Sequence, residues 1–342
     1  GHMKLLAPIR EFDELEMLHA AGAEELYCGI VPEDWSKQYQ GAVWLNRRAA
    51  QGGSLSSFAE LKRLTDAAHA AGLPLFITLN APYYSAEQLP LILDLSRKLS
   101  LDIGVDALIV SDINLLFELS RLRLPAELHV SSVAATLNSE AVRFLQEQFG
   151  VRRVILPRSV SLDEIRQIRA DAPPGLELEV FLLNDGCAFE EGFCATTHHH
   201  SVGAFCTDLS NMKADFEWHG KFFSSRRDRW LRQNLADYRR WVWYLNGNGC
   251  ASAKNGLPYG PCGLCALSDL QRIGIHSLKV VGREASAFKK LASVKMAADI
   301  LGRVRSGTPK LQVLDRARSL RREPEHCDSG YMCYYRVDPS AS

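Results

Sequence analysis

The stretch Phe181–Cys206, FLLNDGCAFEEGFCATTHHHSVGAFC, joins an apolar strand to a polar loop that carries three thiols. The β run begins near Leu176, and Asn184-Asp185-Gly186 ends it. Cys187, Cys194 and Cys206 then follow within twenty residues. A strand whose C-terminal end opens directly into chemistry-bearing residues is the repeating signature of α/β folds.

Working outward, the same alternation recurs along the chain. Short apolar runs centred near residues 5, 26, 77, 109, 128, 155, 181 and 279 read as strands. Helical periodicity fills the gaps between them, and a final helix is expected over 287–304. Ser161 with Glu164 has the spacing of a capping box, and Gly22, Gly72 and Gly274 stand where helices should stop. Eight βα units predict a (β/α)8 barrel of the TIM type over residues 4–306. No GxGxxG follows any strand, which argues against a dinucleotide-binding sheet. Residues 31–54 read as a long loop carrying Trp35, Trp44, Asn46 and Arg47.

Residues 207–257 form an insertion between the seventh and eighth strands, with four of the six tryptophans and an arginine-rich helical run. Such a stripe packs as an amphipathic lid over the barrel mouth or stacks on single-stranded nucleic acid, and the lid is favoured. Residues 307–342 read as a tail with no clear domain of its own, and residues 1–3 as a tag remnant.

Composition narrows the function classes. The chain has 342 residues, 46% hydrophobic and 23% charged, with 40 basic and 40 acidic side chains. A net charge of zero creates no global field for nucleic acid or membrane. No apolar run is long enough to span a bilayer and no secretory signal is evident, so a cytoplasmic location is expected. Nine cysteines in such a chain point to a metal or redox site before a disulfide framework. Neither HExxH nor GxSxG is present, which leaves a peptidase reading resting on a Cys–His pair.

Barrel active sites gather at the C-terminal ends of strands. Those ends here are Cys28, Asn80, Ser111 and Asp112, Ser131 and Ser132, Arg158, Asn184 and Cys187, and Gly282 and Arg283. Soft thiolates select zinc or iron–sulfur centres, and the spacing of Cys187, Cys194 and Cys206 with Cys262-Gly-Leu-Cys265 leaves both open. Arg158 and Arg283 have the fork that grips a carboxylate, or else they make structural ion pairs. Cys28 reads as a small packed residue, and Cys327 and Cys333 either tie the tail down or are loose thiols. His198–His200 is either a proton or ligand donor or a solvated loop.

Several segments together then resemble peptidase family U32. They are Leu5-Leu-Ala-Pro8, Gly104-Val-Asp-Ala-Leu-Ile-Val-Ser-Asp112, Thr136-Leu-Asn-Ser-Glu-Ala141, Val154-Ile-Leu-Pro-Arg158, Leu178-Glu-Val-Phe181, Cys187-x6-Cys194 and Gly274-Ile-His-Ser-Leu-Lys-Val-Val-Gly-Arg283. The resemblance covers residues 4 to about 304. It implies a [4Fe-4S] cluster in place of zinc and oxygen-independent hydroxylation. Family members of that kind act on tRNA, rRNA or the ubiquinone ring, with prephenate as oxygen donor. By the same resemblance Cys187, Cys194 and Cys206 match the first three ligands. The fourth falls on Cys265, with Cys262 as alternate and Cys250 as a weaker candidate. Asn184-Asp185, Ala195–His200 and Val281 depart from the family pattern.

The expected protein is thus a cluster-dependent hydroxylase. Arg158 and Arg283 hold a carboxylate donor, while Asn80 and Ser131 orient the acceptor. A small aromatic substrate is favoured over RNA because charge is balanced and no RNA-binding domain is added. A thiol or metallo-peptidase, and a cluster-bearing subunit paired with a paralogue, are the alternatives.

Overall fold

The computed structural model describes residues 3–39, 44–48, 50–188, 190–194, 198–199, 203–204, 217–222 and 224–340. Eight parallel strands close into a barrel: β1 (Lys4–Pro8), β2 (Glu25–Gly29), β3 (Leu75–Leu79), β4 (Ala107–Val110), β5 (Glu127–Val130), β6 (Arg153–Ile155), β7 (Glu177–Leu183) and β8 (Ser277–Val280). They pair in chain order, and β8 closes the ring between β7 and β1. The expected TIM-type barrel is the observed fold.

The helices used below are α1 (Glu14–Ala21), α2 (Phe58–Ala70), α3 (Leu89–Arg97), α4 (Ile113–Leu122), α5 (Ser139–Phe149), α6 (Leu162–Asp171), α7 (Ser225–Asn248), α8 (Leu267–Ile273), α9 (Ala287–Arg305), α10 (Lys310–Arg321) and α11 (Pro324–Ser329). Polar caps start several of them, each supplying an acceptor to an otherwise orphaned amide. Asp112 accepts from Leu115 N at 2.7 Å and Asn138 from Ala141 N at 2.9 Å. At α6 the capping box forms in both directions, Ser161 taking the Glu164 amide and Glu164 taking that of Ser161.

Strand side chains alternate between two apolar environments, because helices cover the outer face. Leu5, Leu26, Cys28 and Ile77 belong to the core shared with the helices. Leu6, Tyr27, Phe76, Ile109, Ile155 and Phe181 fill the barrel interior. The N-terminal end is plugged by charge instead. Arg153 reaches Glu25 at 2.7 Å, Glu177 at 2.8 Å and Glu179 at 3.2 Å, and Ser277 donates to Glu25 at 2.7 Å. Three carboxylates around one guanidinium hold Arg153 charged, despite the desolvation that opposes it.

Two expectations are corrected, and the tail, read without a domain of its own, is placed. The stretch read as a long loop contains helices at Glu33–Tyr39 and Ala50–Gly53. The helix expected from Ser85 starts at Leu89 and widens into a π-turn at Lys98–Ile103, which Gly104 ends. The tail is no loose appendage: α10 packs on α9, and Val313, Ala317, Met332 and Tyr335 are buried. Its apolar positions are too sparse to announce a core alone, but they complete one that the barrel already offers.

Among the described residues no helix is long and apolar enough to cross a membrane.

Candidate active site at the barrel mouth

A cavity of about 90 Å³ opens at the C-terminal end of the strands, lined by Arg47, Arg48, Asn80, Ser131, Arg158, Cys187, Cys194, Lys279 and Arg283 among others. Most of the expected strand-end residues therefore meet. Asn80 donates to Ser131 Oγ at 3.2 Å and accepts from the Arg47 amide at 3.3 Å, so a fixed polar pair faces the cavity. Ser111 and Asp112 are instead structural. Ser111 donates to the Asn80 carbonyl, and Asp112 caps α4 and takes the Tyr84 amide at 2.8 Å.

The two expected carboxylate clamps part company. Arg158 is already occupied: it reaches Asp185 and Glu191 at 2.5 Å each and stacks 3.9 Å from the Phe181 ring centre. Burial works against its charge, but the two carboxylates outweigh burial and hold its pKa well above the ordinary range. Arg158 is a structural ion-pair partner that fixes the loop carrying Cys187.

Arg283 makes no ion pair among the described residues. It donates to Thr78 Oγ1 at 2.7 Å and Asn46 Oδ1 at 3.4 Å. Burial, and then repulsion by Arg48, bring its pKa down to about 10, which marks a cation short of negative charge. Local backbone makes room for it. Gly282 has φ +125°, a conformation costly with a side chain, and any Cβ on Gly29 would collide with the guanidinium.

Lys279 rises from β8 into the same cavity, 3.8 Å from Glu179 and 4.5 Å from the Tyr27 ring centre. Burial lowers its pKa, with Glu179 opposing. Arg47, noted in sequence only as a loop residue, and Arg48 lie on the irregular segment after β2, where no strand end marks them. Yet Arg47 Nη2 donates to Cys194 Sγ at 2.9 Å.

The expected ligands divide. Cys187 and Cys194 both line the mouth, while Cys206 lies outside the described residues. Cys265 and Cys262 line a separate cavity with Cys327 and Cys333, so the expected fourth ligand, and its alternate, sit elsewhere. Cys250, two residues past the end of α7, lies within electrostatic reach of Asp185 and Arg48, both mouth residues. The resemblance pointed to Cys265 because it precedes α8. The fold ties that knuckle to the end of β7 through a Leu183–Cys262 bridge and to the tail through a Cys262–Cys333 bridge. His198 and His199 form a two-residue ribbon with Gly203–Ala204, and His200 lies outside the described residues. Cys28 is fully buried, with burial raising its pKa to about 12, as a packed thiol should be.

Two thiols with a guanidinium on one of them suit an anionic sulfur-ligated group, although among the described residues no three metal-binding side chains converge here as around one ion. α7 crosses beside this site. Tyr238 donates to the Ala188 carbonyl at 2.6 Å, Trp241 Nε1 to the Tyr331 carbonyl at 3.1 Å, and Val242 and Leu245 are buried. The inward stripe makes the expected lid, and its arginines face outward.

A closed (β/α)8 barrel with a cationic, thiol-bearing mouth is thus the class of protein. The chain belongs to peptidase family U32, whose model matches residues 10–341. It is 31% identical over 192 residues to tRNA hydroxylation protein P of Haemophilus influenzae, covering 56% of this chain and 38% of that one. It is 32% identical over 199 residues to the 23S rRNA 5-hydroxycytidine C2501 synthase of Escherichia coli, covering 57% and 26%. A collagenase of Porphyromonas gingivalis matches at 24% over 214 residues, covering 59% and 46%. The matched stretch therefore spans 26–46% of the length of these relatives. The solved structure of a U32 peptidase matches at 18% identity and a TM-score of 0.41, covering 53% of this chain and 70% of that one.

Proposed function

We propose that this chain hydroxylates a base of RNA, using a carboxylate-bearing oxygen donor and a [4Fe-4S] cluster at the barrel mouth. The observation that carries the reading is the mouth itself, where Arg283, short of negative charge, faces the same cavity as Cys187, Cys194 and the Asn80–Ser131 pair. Two relatives named for RNA hydroxylation supply the reaction class.

Cys187, Cys194 and Cys206 would hold the cluster, with Cys250 as the fourth thiolate in place of Cys265. When bound, the cluster supplies redox chemistry next to the donor. Arg283 binds the donor's carboxylate through two parallel hydrogen bonds, and Asn80 and Ser131 orient the base edge. The acceptor carbon exchanges hydrogen for hydroxyl, a two-electron oxidation. The donor gives up its hydroxyl and is reduced by the same two electrons, so molecular oxygen is not required. A prephenate-like dicarboxylate meets these demands.

RNA is preferred here to a small aromatic substrate because the balanced net charge hides an uneven surface. Arg226, Arg227, Arg229, Arg232, Arg239 and Arg240 are exposed along α7 with Trp230 and Trp243, against only Asp228 and Asp237. Cations interleaved with exposed rings suit a single-stranded backbone and its bases.

The test is nucleoside mass spectrometry of tRNA and rRNA from a host strain lacking the gene. One hydroxylated nucleoside should disappear, return with the wild-type gene, and stay absent with Cys194→Ser. Anaerobically purified protein should also absorb broadly near 400 nm and bleach with dithionite. An unchanged nucleoside profile, or a colourless protein that hydrolyses gelatin, would overturn the reading in favour of a peptidase.

A further inference from the structure

Four cysteines outside the mouth meet in a second cavity of about 60 Å³, lined by Cys262, Cys265, Cys327 and Cys333 together with Arg321 and His326. All four are free thiols. Residues more than sixty positions apart are brought together by backbone bonds. The Cys262 amide donates to the Met332 carbonyl at 2.7 Å, the Tyr334 amide donates to the Cys262 carbonyl at 3.0 Å, and Cys262 and Cys333 form a parallel bridge. Within the Cys262-Gly-Leu-Cys265 knuckle, a Cβ on Gly263 would stand 2.9 Å from the Tyr335 ring, so the knuckle is fitted to the tail.

A second observation points to a ligand. Arg321 is 2% and His326 8% exposed, and Arg321 Nη1 and His326 Nδ1 are both buried without a hydrogen-bond partner. Unpaired buried polar atoms are costly, and an N–H beside an empty cavity is satisfied once anionic sulfur occupies it. We infer that these four thiols bind a second, soft-metal centre that staples the tail to the end of β7, separate from any group at the mouth.

The donor set is all sulfur, which selects zinc or an iron–sulfur cluster and disfavours magnesium or calcium. All four cysteines line the cavity, and among the described residues no three donors close on one point. A zinc ion would draw each to about 2.3 Å, whereas a cluster takes thiolates at its separate corners. Thiolates bound to metal carry the negative charge that Arg321 faces. The inference does not depend on the function proposed for the mouth.

The experiment measures iron, sulfide and zinc per chain in anaerobically purified wild type, Cys327→Ser/Cys333→Ser and Cys187→Ser/Cys194→Ser proteins. The tail double variant should lose one centre, either about four irons with their sulfides or one zinc, while the mouth double variant keeps it. Which metal disappears separates cluster from zinc. Because the tail variant risks misfolding, wild-type protein is also alkylated under native conditions and mapped by peptide mass spectrometry. Cys262, Cys265, Cys327 and Cys333 should label at least tenfold more slowly than after metal is removed by a chelator. Equal metal in a folded tail variant, labelling unaffected by the chelator, or disulfides joining these cysteines in the anaerobic protein would each overturn it.

Discussion

At the scale of single residues, two arginines of the same mouth have opposite fates, set by the charge around each. Arg158 lies between Asp185 and Glu191. Arg158→Leu should destabilise the fold by about 3 kcal/mol, towards the lower end for a broken buried pair, because Arg48 still stands 3.7 Å from Asp185. Urea denaturation measures it, and an unchanged midpoint would remove Arg158 from the list of structural residues. Arg283→Lys should leave stability and visible spectrum nearly intact, yet weaken dicarboxylate donor binding by about 1.5–3 kcal/mol, the scale of a hydrogen bond to a charged group. Calorimetric titration of both proteins decides it, with equal affinities locating the clamp elsewhere.

At the scale of elements, α7 has a buried face and an exposed one. Its buried stripe through Val242 and Leu245 holds it down, while its arginines point away. Arg226→Ala/Arg229→Ala/Trp230→Ala should preserve the melting temperature. It should also reduce tRNA affinity, by about 1–3 kcal/mol for the lost stacking and further for each phosphate contact. The salt dependence of binding should flatten by nearly one in slope for each contact removed. Filter binding across a salt series reads both, and parallel lines with unchanged affinity would confine α7 to its lid role. The tail is held by Tyr335, whose hydroxyl donates to the Phe181 carbonyl at 2.7 Å. Tyr335→Phe should cost about 1 kcal/mol, seen as a lower urea midpoint.

At the scale of the whole molecule, the buried His129 and the half-buried His276 shape the acid limit. Burial is the main cause lowering the pKa values of His129 and His276, so in the fold both resist protonation. Their stabilising contribution is therefore present above the ordinary histidine value near 6.5 and is lost as pH falls through the lower folded values. Glu127 and Glu177, also lowered, extend the loss below about pH 4.5. Stability should fall from pH 7 to pH 5, and His129→Gln should flatten that fall by up to about 1.4 kcal/mol per pH unit. Denaturation midpoints across this range measure it. A wild-type curve that is flat or rising would show that these histidines are protonated in the folded protein.

The barrel was legible because its causes are local: apolar runs of strand length, helical periodicity between them, and caps such as Ser161 with Glu164 need no distant partner. The thiol-bearing loop after β7 was legible too, since Asn80, Ser131, Cys187 and Cys194 each follow a readable strand and strand ends converge in any such barrel. What the amino-acid string left open was partnership. Nothing in spacing tells that Cys262 and Cys265 turn to Cys327 and Cys333, because the bridge between Cys262 and Cys333 joins segments some seventy residues apart. Nor does it tell that Arg47, on an irregular segment, reaches Cys194 across 147 positions. Residue type and spacing determine what a side chain is able to bind; only the closed tertiary structure, by bringing distant backbone into register, decides which neighbour it meets.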